Sequence, residues 1–375
     1  MSCLRVFNCD NDLALANFSP GFTPSSTIQM MMQELALFPL AWADEGEPVV
    51  VWGWSPSVCH RLRKMGVSPD LLPTDAQLAE IRRLSSRERA VELLAAMRRD
   101  GVCADLQSVY CTTEAQVEGA LSRWSRTILK APWSGSGKGL RYGQDGREDT
   151  LRGWYQRILS QQGGVVVEPL YNKVADLAME FWSDGEGHVT YQGLSLFETH
   201  PNGAYSGNLL MSEPEKQAWL DERIPASQST VVRQWLESHL SSLIGTAYRG
   251  YLGVDMMVIG ESEQSEELRE ESEELREKSE ELRGESEELR EKGVELRGER
   301  KALTLHPMVE VNLRMTMGMV SILLQRRQPA DFHGVFRLDY FPRPEDLLQD
   351  NARRAASSPH FRILASGPHY RAYIE

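Results

Sequence analysis

Three stretches of the 375-residue chain hold residue types that could do chemistry at the spacing they have. The first is Lys130-Ala131-Pro132-Trp133-Ser134-Gly135-Ser136-Gly137-Lys138-Gly139. Backbone amides in a Gly/Ser loop can converge on phosphate oxygens, because glycine permits unusual dihedrals and close approach. Lys130, at the end of an apolar segment, could neutralise the same phosphates. The loop is not a Walker A motif: Pro132 stands at the first glycine position, and Gly139 where a Ser or Thr would hold magnesium. Alone, it reads equally as a tight turn.

The second stretch is split along the chain. Asp255 lies in Tyr251–Ile259 and Glu310 and Asn312 in Leu303–Asn312, both strand-like. Residues i and i+2 of a strand share a face, so Glu310 and Asn312 point together, and Asp255 can face them if the two segments pair. Val254, Met256, Val309 and Val311 alternate with the acids as a core face. Three hard oxygen donors on one face suit one or two magnesium (or manganese) ions bridging nucleotide phosphates. An ion-paired strand face is the alternative. The third stretch, Val165-Val166-Val167-Glu168-Pro169-Leu170, is an apolar strand ending in an acid and a proline. It suits a hinge offering backbone groups to an adenine edge, with Asp176 placed to accept from ribose hydroxyls, or else a surface acid opening a strand.

Between Asp255 and Glu310 runs a low-complexity segment, residues 261–301. Its unit is Ser-Glu-Glu-Leu-Arg-Glu-Lys, with Leu268, Leu275, Leu282, Leu289 and Leu296 spaced by seven. A coiled coil needs two apolar positions per heptad; the companions here are Ser265, Ser272, Ser279, Ser286 and Gly293. Gly284, Gly293 and Gly298 each cost a helix about 1 kcal/mol. The segment reads as a solvated, partly helical insert, with a partner-binding helix as the alternative. Doubling a loop costs only about 0.6 kcal/mol, so a hairpin of the flanking strands can carry it.

The elements that must position these groups alternate in type. Leu4–Asn8 and Pro48–Trp52 read as buried parallel strands around an amphipathic Ser26–Phe38, with helices at Ser55–Met65, Asp75–Leu84 and Arg87–Arg99. Strands follow at Thr127–Ala131, Gly139–Tyr142 and Val165–Pro169, with a helix near Thr150–Leu159. Further strands are expected at Leu177–Ser183 and Val189–Phe197, then a helix at Gln228–Gly245, the hairpin, and a helix from Met317. The fold class is α/β (α+β), in four parts: an N-terminal lobe at 1–104, a small lobe with the glycine-rich loop at 105–170, a large lobe at 171–331, and a C-terminal tail packing on the core at 332–375.

The totals exclude several classes. The formal charge is −13, but the insert alone carries −8 of it, so nothing supplies the basic face expected of a nucleic-acid binder. No run approaches eighteen apolar residues, and no membrane partner is expected. Met1–Arg5 lacks the pattern of a signal peptide, and five cysteines without Cys-x-x-Cys spacing read as reduced thiols in a cytoplasmic protein.

Taken in order, the Lys-plus-glycine loop, the Glu hinge and the Asp…Glu-x-Asn pair with Arg314 resemble the ATP-grasp superfamily from about Asp105 to Leu324. Tyr248–Asp255 resembles the metal-strand approach of D-alanine–D-alanine ligases, and Glu310-Val311-Asn312-Leu313-Arg314 is similar to the Glu-x-Asn-x-Arg of biotin carboxylases. The resemblance implies an N-terminal pre-ATP-grasp lobe and two lobes closing on Mg-ATP. It puts Lys130 on the α- and β-phosphates, Ser134, Gly135, Ser136, Gly137 and Lys138 in the lid, and Glu168 and Leu170 around the adenine. Asp176 falls at the ribose, Asp255, Glu310 and Asn312 at the metal, and Arg314 on the transferred phosphoryl group. It implies an ADP-forming ligase that joins a small-molecule or peptide carboxylate to an amine or other nucleophile through an acyl phosphate. The alternatives are a small-molecule kinase on the same scaffold, or a non-catalytic nucleotide-binding scaffold.

Two positions depart from the superfamily. Gly253 replaces an arginine common in the D-alanine ligases, and the phosphate-binding lysine expected upstream has no counterpart beyond Arg87. His200 and Asn208, in a polar stretch between elements, and Asp12, after a strand's carboxyl end, are the candidate substrate residues. His306 is expected to cap a strand.

Overall fold

The computed structural model describes residues 4–43, 48–135, 137, 139–143, 148–200, 205–260 and 303–375. The insert, Ser136 and Lys138 lie outside them.

The chain opens with β1 (Leu4–Val6), α1 (Asn11–Asn17), α2 (Ser26–Glu34) and β2 (Val49–Val51). β1 and β2 pair in parallel, with Leu4 opposite Val49. They form a sheet of only two strands and are half-buried, not the buried strands expected. α3 (Pro56–Lys64), α4 (Asp75–Leu84) and α5 (Arg87–Arg99) follow. Their starts are set by local chemistry: Ser55 accepts from the Val58 amide ahead of a first-turn proline, and Thr74 with Gln77 forms a capping box.

The second unit comprises β3 (Val109–Cys111), α6 (Glu114–Leu121), β4 (Thr127–Lys130), β5 (Leu140–Gly143), α7 (Glu148–Gln162) and β6 (Val165–Pro169). The strands form an antiparallel sheet in the order β3-β6-β4-β5. Cys111, Leu129, Val165 and Val167 pack against Val117, Trp154 and Ile158 of the two helices.

Residues 170–172 lead into an eight-stranded sheet built from β7 (Lys173–Asp184), β8 (Val189–Thr199), β9 (Tyr205–Leu210), β10 (Arg249–Ile259), β11 (Thr304–Asn312), β12 (Gly334–Tyr340), β13 (Arg362–Ser366) and β14 (Tyr370–Ile374). Their order is β11-β10-β7-β8-β9-β12-β14-β13. Four helices accompany them: α8 (Glu213–Asp221), α9 (Ala226–Ile244), α10 (Met317–Gln325) and α11 (Pro344–Ser357). One face presents Leu177, Met179, Phe181, Leu194, Leu196, Val254 and Met256 to a core that includes Val232, Leu236 and Leu240 of α9. On the other face α10 comes close enough that a Cβ on its Gly318 would meet Glu180 and Ser195.

Two expectations are corrected here. The polar stretch around 205–208, expected to lie between elements, is the start of β9. Residues 332–375 are no tail either: β12, β13 and β14 complete the large sheet. Phe336 of β12 stacks on Phe38 at 5.8 Å, so the first unit shares a core with the last strands.

Candidate active site

The antiparallel register of β7, β8, β10 and β11 sets out three adjacent rows of side chains on the face opposite α9. Asn312, Gly253, Glu180 and Gly193 form the first, and Glu310, Asp255, Ala178 and Ser195 the second. The third is His306, Met257, Asp176 and Phe197. Between the second and third rows β11 advances four residues while β10 advances two, so Pro307, Met308 and Val309 form a bulge. A proline has no amide to give the ladder and fits there. Ile259 faces Thr304 at the far end of the pair, so the ends of the insert are adjacent.

Asp255, Glu310 and Asn312 therefore meet. The Asn312 amide nitrogen donates to Asp255 Oδ2 at 3.2 Å, which leaves this side chain only its carbonyl oxygen to offer a cation. Burial, and then the like charge of Glu310, push the Asp255 carboxyl up to about 7. Such a pair gains from a cation beside it. Among the described residues no group of three or more His, Cys, Asp and Glu side chains could hold a metal unaided. Two carboxylates and an amide are an incomplete shell, which suits magnesium when phosphate oxygens and water complete it.

Positive groups converge from three elements. Arg314, just beyond β11, makes a two-pronged ion pair with Asp12 of α1, Nε to Oδ1 at 2.9 Å and Nη2 to Oδ2 at 3.0 Å. Although burial disfavours its charge, Asp12, Glu310 and Asp255 hold Arg314 protonated beyond its ordinary range. Arg87, the first residue of α5, donates from Nη2 to Glu310 Oε2 at 2.7 Å and to the Ser134 carbonyl at 3.0 Å. Its Nη1 reaches Ser134 Oγ at 2.7 Å and the Ala131 carbonyl at 2.5 Å. One guanidinium thus ties the glycine loop to the acid opposite Asp255. Lys130 Nζ lies 2.6 Å from Glu168 Oε2, both side chains nearly inaccessible, and Ser108 Oγ donates to Glu168 Oε1 at 2.9 Å.

Glycine is required at two loop positions. Gly137 adopts φ 71°, and a Cβ on Gly139 would lie 2.0 Å from Ser134 Oγ. Gly135 runs beside Asp12, whose Oδ2 would be 2.7 Å from an added Cβ. Asp176 accepts from Lys173 Nζ at 2.5 Å and Thr199 Oγ1 at 2.7 Å. Leu170, half-buried, is anchored through its amide to the Arg126 carbonyl at 2.9 Å.

The remaining expected residues fall elsewhere. Asn208 is buried with its amide engaged: Oδ1 accepts from Tyr205 at 2.6 Å, and Nδ2 donates to Ser195 Oγ at 2.7 Å and the Leu196 carbonyl at 3.3 Å. It braces the sheet and has no donor left over for a substrate. His200 is exposed, in a groove with Tyr205, Asp339, Tyr340 and Arg353. Ser136 and Lys138 are outside the described residues. His306 does not cap a strand but sits within β11, fully buried.

Arg87, read from sequence only as a weak substitute for the upstream lysine, is tied directly to Glu310 and the loop. One feature of the site was not read from sequence: Glu180 is a fully buried acid whose Oε1 accepts from the Thr316 hydroxyl at 2.8 Å. Glu180 also accounts for Gly253: a Cβ there would sit 2.7 Å from Glu180 Oε2 and 2.9 Å from Thr316 Cγ2. A side chain at that position, arginine included, would require Glu180 and Thr316 to shift. The one available signal was Glu180 itself, a lone acid in the apolar run Leu177–Trp182.

No family model matches the chain, and no curated protein does. Among solved structures, the ADP complex of an N5-carboxyaminoimidazole ribonucleotide synthetase is 11% identical over 100% of this chain and 91% of its own, with a TM-score of 0.48. N5-carboxyaminoimidazole synthetase from Staphylococcus aureus is 11% identical over 100% and 93%, with a TM-score of 0.46. A biotin carboxylase–ATP complex from Campylobacter jejuni is 12% identical over 99% and 87%, with a TM-score of 0.45. Likeness this distant does not define an activity for this chain. No helix of the described residues is long and apolar enough to cross a membrane.

Proposed function

We propose that this chain is an ADP-forming ligase of the ATP-grasp type, joining a small-molecule or peptide carboxylate to an amine. The observation that carries the reading is the register itself. Asp255 lies opposite Glu310, Asn312 is bonded to Asp255, and Arg314 follows two residues on, held by Asp12. Asp255, Glu310 and Asn312 would hold magnesium, which would supply charge neutralisation to the phosphates of ATP.

The chain's own groups would do the rest. Lys130 would sit on the α- and β-phosphates, and the loop from Ser134 through Lys138 would cover them. Arg87, fastened to that loop, would supply the positive charge for which no upstream lysine is found. Glu168 and Leu170 would frame the base and Asp176 the ribose. Arg314 would stabilise charge on the phosphoryl group as it passes from the ADP oxygen to a carboxylate oxygen. The amine nitrogen then attacks the acyl carbon, loses its proton, and expels phosphate. Such catalysis is positioning and charge neutralisation, and needs no side-chain nucleophile.

A screen of acid and amine pairs for ADP release, with Mg-ATP binding measured in parallel, tests this. Wild type should bind Mg-ATP and release ADP only with a particular pair, while Glu310→Gln should lose both properties. Equal Mg-ATP binding by the two proteins would overturn the metal assignment.

A further inference from the structure

His306 is the buried group that the chemistry above leaves without a task. Its imidazole is fully inaccessible, and apart from its own backbone neither ring nitrogen has a hydrogen-bond partner among the described residues. Burial holds it neutral, its pKa pushed down to about 4, so it offers one N–H and one bare nitrogen. Buried groups of this kind are nearly always paired, and an orphan asks for a missing ligand or water.

Its position says which ligand. Through Met257 it shares a row with Asp176, on the face that carries Asp255 and Glu310. The charges of Glu168 and Lys130 bear on it, and Tyr171 stands edge-on to the ring with centroids 5.2 Å apart. Tyr171 lies in the 170–172 link between the two sheets, the segment that must move if the lobes part. A triphosphate whose phosphates meet the first two rows, and whose ribose meets Asp176, brings its base to this end.

We infer that His306 hydrogen-bonds the nucleobase of the bound nucleotide, through the amino group at position 6 of an adenine. This rests on the nucleotide reading above. The bare nitrogen accepts from the amino group, and a single neutral bond of this kind changes affinity by about 2- to 13-fold.

The test is a thermodynamic cycle on the full chain. Binding of Mg-ATP and of the magnesium complex of purine riboside triphosphate, which lacks the 6-amino group, is measured for wild type, His306→Phe and His306→Gln. Wild type should prefer ATP by about tenfold; His306→Phe should bind both equally, and His306→Gln, which keeps an acceptor, should restore the preference. A purely structural histidine would weaken both nucleotides together and leave the ratio unchanged, overturning the inference. So would a wild type that binds the two equally, whether or not the Phe variant folds. A wild type that binds neither nucleotide removes the nucleotide reading itself, and the inference with it.

Discussion

Replacing Glu180 with Gln should raise stability in mild alkali and flatten its dependence on pH. The Glu180 side chain is fully buried between β10 and α10, and burial pushes its carboxyl from 4.5 up to about 8. In the unfolded chain the group returns to its ordinary value. Between those two limits the native state holds a proton that the unfolded state has released, so stability falls as pH rises through the window. Below about 4.5 both states are protonated and there is no penalty; above about 8 both are ionised and the penalty is complete. At about 1.36 kcal/mol per pH unit, the full window corresponds to about 5 kcal/mol at most. Gln is neutral throughout and can still accept from Thr316. Urea denaturation of both proteins from pH 4.5 to 8.5 checks this, since subtracting the curves cancels every other titrating group. The variant should match wild type near pH 4.5 and exceed it by a few kcal/mol at pH 8. Parallel curves would show that Glu180 does not titrate in that window and would refute the reasoning.

Other outcomes follow from the same contacts. Arg314→Ala should leave Mg-ATP affinity within a few-fold but lower the turnover of ADP release by about 10²–10³, the usual cost of removing a transition-state donor; comparing binding with turnover decides it. Arg87→Lys keeps the charge but cannot span Glu310, Ser134 and Ala131 together, so Mg-ATP should bind about tenfold more weakly, read by titration calorimetry. Deleting residues 261–302 and joining Gly260 to Leu303 by a two-residue turn should leave Mg-ATP binding unchanged, because Ile259 already faces Thr304; loss of binding in a folded deletion protein would give the insert a part in the site.

What could be read in advance depended on the range of the interaction. The pairing of Asp255 with Glu310 and Asn312 was legible because strand periodicity is local and fixes which side chains share a face. α4 and α5 were legible to the residue because Thr74 and Ser86 cap them from one position away. The contacts of Arg87 were not, since its partners lie 44, 47 and 223 residues along the chain and no local pattern encodes them. The C-terminal strands were hidden for a different reason. Their interior includes Arg371, fully buried, bonded to Asp339 at 3.0 Å and Asp350 at 2.6 Å and packed against the Tyr373 ring at 4.1 Å. A buried arginine neutralised by partners from β12 and α11 breaks the apolar alternation by which a strand is recognised, so the segment resembled a charged tail. Glu180 and His306 escaped for the same cause: each is a polar residue in an apolar strand, and only the neighbours that enclose it distinguish a site from a solvated edge. Residues that sequence patterns misplace are therefore concentrated where burial and polarity coincide, and in this fold that means the rows around Asp255 and the C-terminal strands around Arg371.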